Sequence, residues 1–192
     1  MNLVETARLL YTSGLNTSYQ GVLAARLGER NLICITAAKS DFKSIERQDI
    51  CLLNLAGEVV NGPSLLELPA NLKFYLKVFQ DRADVKVLAH VYPPHARGFA
   101  EKSQMFELLG NPDKSEVREL IKVECLECPS RFTGLCSCRN EIRKSYAGAD
   151  ALLVKQDGLI VLAADLESLF LKVESLERSA QKSLATKSSK QS

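Results

Sequence analysis

Hydrophobic and polar positions alternate along this chain in two rhythms. Leu3, Ala7, Leu10 and Tyr11 recur at helical spacing until Ser13-Gly14-Leu15-Asn16 breaks the run, so the pattern predicts a helix over about 3–13. Strand-like runs follow at Leu23–Leu27 and Asn31–Thr36. Ile50–Leu55 then folds back through Ala56-Gly57 onto Glu58-Val59-Val60 as a hairpin. Pro69 opens a second helical stripe, Leu72, Tyr75, Leu76 and Phe79, which ends near Asp81-Arg82. The apolar run Val85–Val91 reads as a strand stopped by Pro93-Pro94, and a helix is expected from His95 to Leu109. Ile121–Val123 reads as a strand leading into a segment, 124–138, whose Pro129 and Gly134 predict irregular backbone. Glu141–Ala147 has a helical pattern, and Ala151–Val154 and Leu159–Ala163 flank a turn at Lys155-Gln156-Asp157-Gly158. The helix 165–184 carries Leu166, Leu169, Phe170, Val173 and Leu176 on one stripe, and the Lys/Ser-rich 185–192 is expected to be a disordered tail. Hairpins outnumber crossovers in this order, which predicts an α/β fold with a largely antiparallel sheet and helices on both faces.

Composition narrows the function. The 192 residues, with 25 basic and 23 acidic side chains, suit a single domain with no electrostatic case for nucleic acid. No segment has the run of about 20 apolar residues that a membrane span needs, and the N-terminus lacks a basic, then apolar leader pattern, so a cytosolic protein is expected. The chain has two histidines, His90 and His95, and six cysteines. A metal held by three histidines of one chain is thereby excluded, and thiolates or oxygens must supply most of any ligand set.

Four of those cysteines are close together. Cys125, Cys128, Cys136 and Cys138 form a C-x2-C-x7-C-x-C run, the pairing of closely spaced thiols from which tetrathiolate sites are built. Zinc and an iron–sulfur cluster are both compatible with four thiolates, and the spacing does not choose between them. The alternative is a set of incidental thiols or a redox disulfide pair. Cys34 and Cys51 lie inside apolar strand runs and are expected to be core thiols.

Residues 49–96 contain a longer pattern: Asp49-Ile50-Cys51, Leu55-Ala56-Gly57-Glu58-Val59-Val60-Asn61-Gly62-Pro63-Ser64, Glu67-Leu68-Pro69, Tyr75, and Ala83-Asp84-Val85-Lys86-Val87-Leu88-Ala89-His90-Val91-Tyr92-Pro93-Pro94-His95-Ala96. With Thr36, Ala149-Asp150-Ala151-Leu152-Leu153, Asp157-Gly158, Ala164-Asp165-Leu166, Glu174 and Glu177, it resembles the class II sugar-phosphate aldolase/adducin family. The resemblance implies one three-layer αβα domain over 1–184, with the cysteine-rich 124–138 as an insert. It also implies a homotetramer with active sites at subunit interfaces, and a divalent metal that polarises the carbonyl of a sugar phosphate while a carboxylate moves a proton.

The residues depart from the family pattern at its centre. A strand His-x-His is expected, and this chain has His90 and Tyr92; the third histidine position holds Asp157. Glu67 matches the catalytic carboxylate, and Asn71 stands where a histidine is often found. Of the phosphate-binding positions Ser64 is retained, whereas Val22, Ala24 and Ala37-Ala38-Lys39 replace polar donors. His90, Tyr92 and Asp157 are either a residual N/O metal site or a hairpin turn, a packed aromatic and a satisfied histidine. Glu67 is either a proton-transfer group or a helix N-terminal acid. Two functions stay open: a metal-dependent lyase acting on a small hydroxy-carbonyl compound, and a non-catalytic adducin-type binding domain with a structural tetrathiolate metal.

Overall fold

Helix α1 (Leu3–Thr12) begins with a reciprocal cap: the Asn2 side chain accepts from the Glu5 N–H at 3.0 Å, and the Glu5 carboxylate accepts from the Asn2 N–H at 3.1 Å. Two donors that a helix start leaves open are satisfied in this way. The computed structural model describes residues 1–17, 20–28, 31–62, 68–101, 123–126, 146–154 and 157–189.

After α1 come β1 (Val22–Leu27), β2 (Leu32–Thr36), a 3-10 turn at Arg47–Asp49, β3 (Ile50–Asn54) and β4 (Val59–Asn61). They are followed by α2 (Leu72–Asp81), β5 (Val87–Val91), α3 (Pro94–Glu101), β6 (Val123–Leu126), β7 (Ala151–Val154), β8 (Gly158–Ala163) and α4 (Leu166–Ser189). The eight strands form one sheet in the order β4-β3-β2-β1-β5-β8-β7-β6. Every neighbouring pair is antiparallel except β6 and β7.

Two apolar layers make this an αβα sandwich. One face of β1, β5, β7 and β8, with Leu23, Val87, Ala89, Val91, Leu153 and Val161, packs beneath α1, α3 and α4. The other, with Ile33, Ile35, Leu53, Leu88, Leu152 and Ile160, packs beneath α2 through Tyr75, Val78 and Phe79. Because β5 and β8 are covered on both faces, every residue in each is buried, which is why they read as continuous apolar runs rather than alternating ones.

The sequence pattern and the structure part in a few places. Residues 124–126, expected to be irregular, pair in parallel with β7 as an edge strand. The last helix runs on to Ser189, through residues expected to be a disordered tail; Ala185 and Lys187 are good helix formers that let an established helix propagate. The helix expected from His95 starts at Pro94, where a missing N–H costs nothing. Its continuation beyond 101, and residues 141–145 of the helix expected over 141–147, lie outside the described residues.

Candidate active site

One end of the sheet collects the chemistry. Strand register sets the carboxyl end of β5 beside the start of β8 (Val91 opposite Leu159, His90 opposite Ile160) and the start of β1 (Val22 opposite His90). The turn between β7 and β8, with Asp157 and Gly158, closes over this end. Gly158 makes that approach possible: its φ is +98°, and a Cβ there would stand 2.7 Å from the Val91 carbonyl and 2.8 Å from the Tyr92 ring. Only glycine meets both requirements.

His90 is 1% exposed and bonded at both ring nitrogens. Nδ1 lies 2.7 Å from the Tyr75 hydroxyl, on α2, and Nε2 lies 2.6 Å from the main-chain carbonyl of Asp157. A carbonyl only accepts, so Nε2 carries the proton and Nδ1 accepts from Tyr75. The Tyr92 ring stacks on His90, centroids 5.2 Å apart at 27°, and its hydroxyl donates to Asp157 Oδ1 at 3.3 Å. The Asn71 amide donates to Asp157 Oδ2 at 3.4 Å. The Arg97 guanidinium covers the Tyr92 ring at 5.9 Å. His90, Tyr75 and Tyr92 are buried, whereas Arg97 is exposed and the Asp157 side chain, at 39% exposed, reaches solvent.

Burial sets the protonation states. It lowers the proton affinity of His90 against the opposing pull of Asp157, so the imidazole is neutral. Burial, reinforced by the Asp157 charge, pushes the phenols of Tyr75 and Tyr92 well above the usual tyrosine range, so both stay protonated.

These states decide how the expected ligand trio, His90, Tyr92 and Asp157, stands toward a divalent cation. A ligand imidazole must offer a lone pair and a ligand phenol must lose its proton. Here Nε2 is a donor, Tyr92 keeps its proton, and one carboxylate remains, so the set as arranged does not fit the group. Among the described residues no cluster of three His, Cys, Asp or Glu side chains is placed to hold a metal.

His95 has a different setting. The Glu177 carboxylate, from α4, accepts from the His95 and Ala96 N–H groups at 2.9 Å each and from His95 Nδ1 at 2.7 Å, capping the start of α3. Glu67, Ser64, Cys128, Cys136 and Cys138 lie outside the described residues. The backbone of Cys125 is on β6 opposite Leu153, which faces Leu159, itself opposite Val91. Three strand spacings, about 14 Å, thus separate Cys125 from the His90 strand at the same level of the sheet. Of the two expected core thiols Cys51 is buried. Cys34 is half-buried and lines a groove of about 560 Å³ with Leu27, Ile50 and Leu52; burial raises both thiols' pKa.

Tyr75 and Asn71 are partners that sequence reasoning did not assign. Their signal was present in Tyr75, whose polar tip belongs to an otherwise apolar stripe and needs a partner once buried.

The architecture defines the class: an αβα domain with its polar site at the end of an antiparallel sheet, where β5 meets the β7–β8 turn. The chain belongs to the class II aldolase and adducin N-terminal domain family, which it matches over residues 1–184. It is 22% identical to an L-fuculose phosphate aldolase of Methanococcus maripaludis over 94% of this chain and 92% of that protein. It is 25% identical to a 5-deoxy-D-ribulose 1-phosphate aldolase of Bacillus thuringiensis over 97% and 84%. The structure of an L-fuculose-1-phosphate aldolase from Thermus thermophilus superposes with a TM-score of 0.77 at 15% identity, covering 98% of this chain and 93% of that one. With relatives so named, the chain is an enzyme of the aldolase/lyase type. Among the described residues no helix is long and apolar enough to cross a membrane.

Proposed function

We propose that this protein cleaves or forms a carbon–carbon bond in a small hydroxy-carbonyl, sugar-like compound. The observation that carries the reading is the meeting of the Asp157 carboxylate, the Tyr92 hydroxyl and the Asn71 amide beside solvent, in a chain whose named relatives are sugar-phosphate aldolases. In retro-aldol cleavage a base takes the proton of the β-hydroxyl, the carbon–carbon bond breaks to release an aldehyde, and the electron pair passes to the carbonyl oxygen as an enediolate. The second N–H of Asn71, and the Tyr92 O–H once Asp157 has taken up the hydroxyl proton, are donors suited to that developing charge, and the carboxylate is the acceptor for that proton. Glu67 is the second candidate acid/base and returns the proton to carbon, with Ser64 as a substrate contact; both roles rest on the resemblance.

Metal enters the proposal at the cysteines. Class II aldolases generally depend on a divalent metal such as zinc, and the thiols of Cys125, Cys128, Cys136 and Cys138 are this chain's candidates for zinc or an iron–sulfur cluster. Metal and sulfide analysis of anaerobically purified protein separates the two, and a metal-free product rules out both. The resemblance also supports a homo-oligomer, which light scattering would measure.

The test of the activity is a panel of ketose 1-phosphates and unphosphorylated ketoses, with the released aldehyde measured. Turnover is expected on at least one, with kcat falling about 10²-fold in Tyr92→Phe and Asp157→Asn. No turnover across the panel, or variants as active as the parent, would overturn it.

A further inference from the structure

We infer that His90 is a positioning residue in this chain rather than a metal ligand: its Nε2–H holds the main chain of Asp157 and so fixes where the Asp157 carboxylate stands. Each bond has one possible direction. The Asp157 carbonyl has no proton, so the 2.6 Å contact is an N–H donation from Nε2. The neutral ring then has a lone pair on Nδ1 alone, and Tyr75 donates to it at 2.7 Å. An imidazole bound to metal through Nε2 needs the opposite tautomer, with its proton on Nδ1.

The surroundings resist a switch between the two. Freeing Nε2 requires the 157–158 turn to move away. That turn is held by the β7–β8 ladder, which pairs Val154 with Gly158 and Leu153 with Leu159. Gly158 lies so close to the Val91 carbonyl that the turn sits directly on β5. From below, the stacked Tyr92 ring fixes the imidazole plane. The ring is enclosed, 1% exposed, between a carbonyl that can only accept at Nε2 and a hydroxyl that donates at Nδ1. The interaction therefore runs from α2, through Tyr75 and His90, to the backbone that carries Asp157. The carboxylate accepts from Tyr92 and Asn71 only while that backbone stays in place.

The catalytic consequence rests on the function proposed above, but the tautomer does not, and the experiment separates them. The chain has two histidines, so a long-range ¹H–¹⁵N spectrum of the imidazoles of the intact protein is assignable with one His95→Asn comparison. The expected result is a His90 ring protonated at Nε2, bare at Nδ1 and unmoved by added zinc. A His90 ring protonated at Nδ1, or an Nε2 resonance that shifts with one equivalent of zinc, would overturn the inference. The variants give a second arm. Gln at 90 keeps an amide N–H near the Nε2 position, whereas Asn cannot reach Asp157. His90→Gln should keep kcat within about threefold, and His90→Asn should lose about 10²-fold in kcat with KM little changed, the size expected for a misplaced reacting group. His90→Gln losing a bound metal together with activity would refute the positioning role. If no substrate is turned over, the spectrum still decides the tautomer, and the failure belongs to the proposed activity.

Discussion

The two histidines lie on one short stretch of chain, yet they serve opposite faces of the sheet. His90 points toward α2, is sealed from water and is bonded to uncharged groups, a phenol and a carbonyl. His95 sits at the start of α3, is 38% exposed at its side chain, and is bonded to the Glu177 carboxylate. The first has its proton on Nε2, the second on Nδ1. Residue type alone therefore predicts neither role: the partner's charge and access to water decide.

The largest expected effect comes from moving the turn off His90. Gly158→Ala adds a Cβ against the Val91 carbonyl at a positive φ, and overpacking plus backbone strain should cost about 4 kcal/mol, read as a lower urea midpoint. The His90 resonances should shift while those of His95 stay; the reverse would show the two regions to be coupled.

Next is the cap. Glu177→Ala leaves two amide donors at the start of α3 without their charged acceptor and should cost about 3 kcal/mol in the same measurement. Here the His95 resonances should move and those of His90 should not.

Acidification acts on the His90 side. Its folded-state pKa lies below the unfolded value of about 6.5, so the unfolded chain binds the proton first. The His90 contribution to stability is complete above that unfolded value and is lost as pH falls below it toward the folded-state pKa. Urea midpoints should therefore fall on going from pH 7.5 to 5.5, and the fall should be smaller in His90→Gln. An equal fall in both would remove His90 as the cause. The smallest effect is expected from His95→Ala, at or below about 1 kcal/mol, because an exposed charge-assisted bond is worth little while Glu177 keeps its backbone donors.

Much of the fold was legible along the chain because burial leaves a periodic trace. The stripe Leu72, Tyr75, Leu76 and Phe79 became α2, and the Asp157-Gly158 pair became the turn expected of it. What escaped was set by partners distant in sequence. β6 is an edge strand that exists through pairing with β7, and nothing within 123–126 announces a neighbour twenty-odd residues ahead. The site was half legible: the resemblance brought out Glu67, His90, Tyr92 and Asp157 as positions of interest. It could not say which nitrogen of His90 carries a proton, because that depends on a backbone carbonyl, and every residue type has one. Glu177 was noticed as part of the pattern without a role, since its role is to meet the N–H groups of His95 and Ala96 across the layer.

That cap has a consequence in time. Ribosomal synthesis delivers β5 and α3 about eighty residues before the carboxylate that closes the start of α3. Until α4 is made and docks, α3 has bare amides at its first turn and the β5–α3 corner lacks its tether. Docking of α4 thus locks the junction that follows Tyr92 well after that junction has been synthesised. A nascent chain stalled before residue 177 should expose that corner to proteases that the finished protein resists.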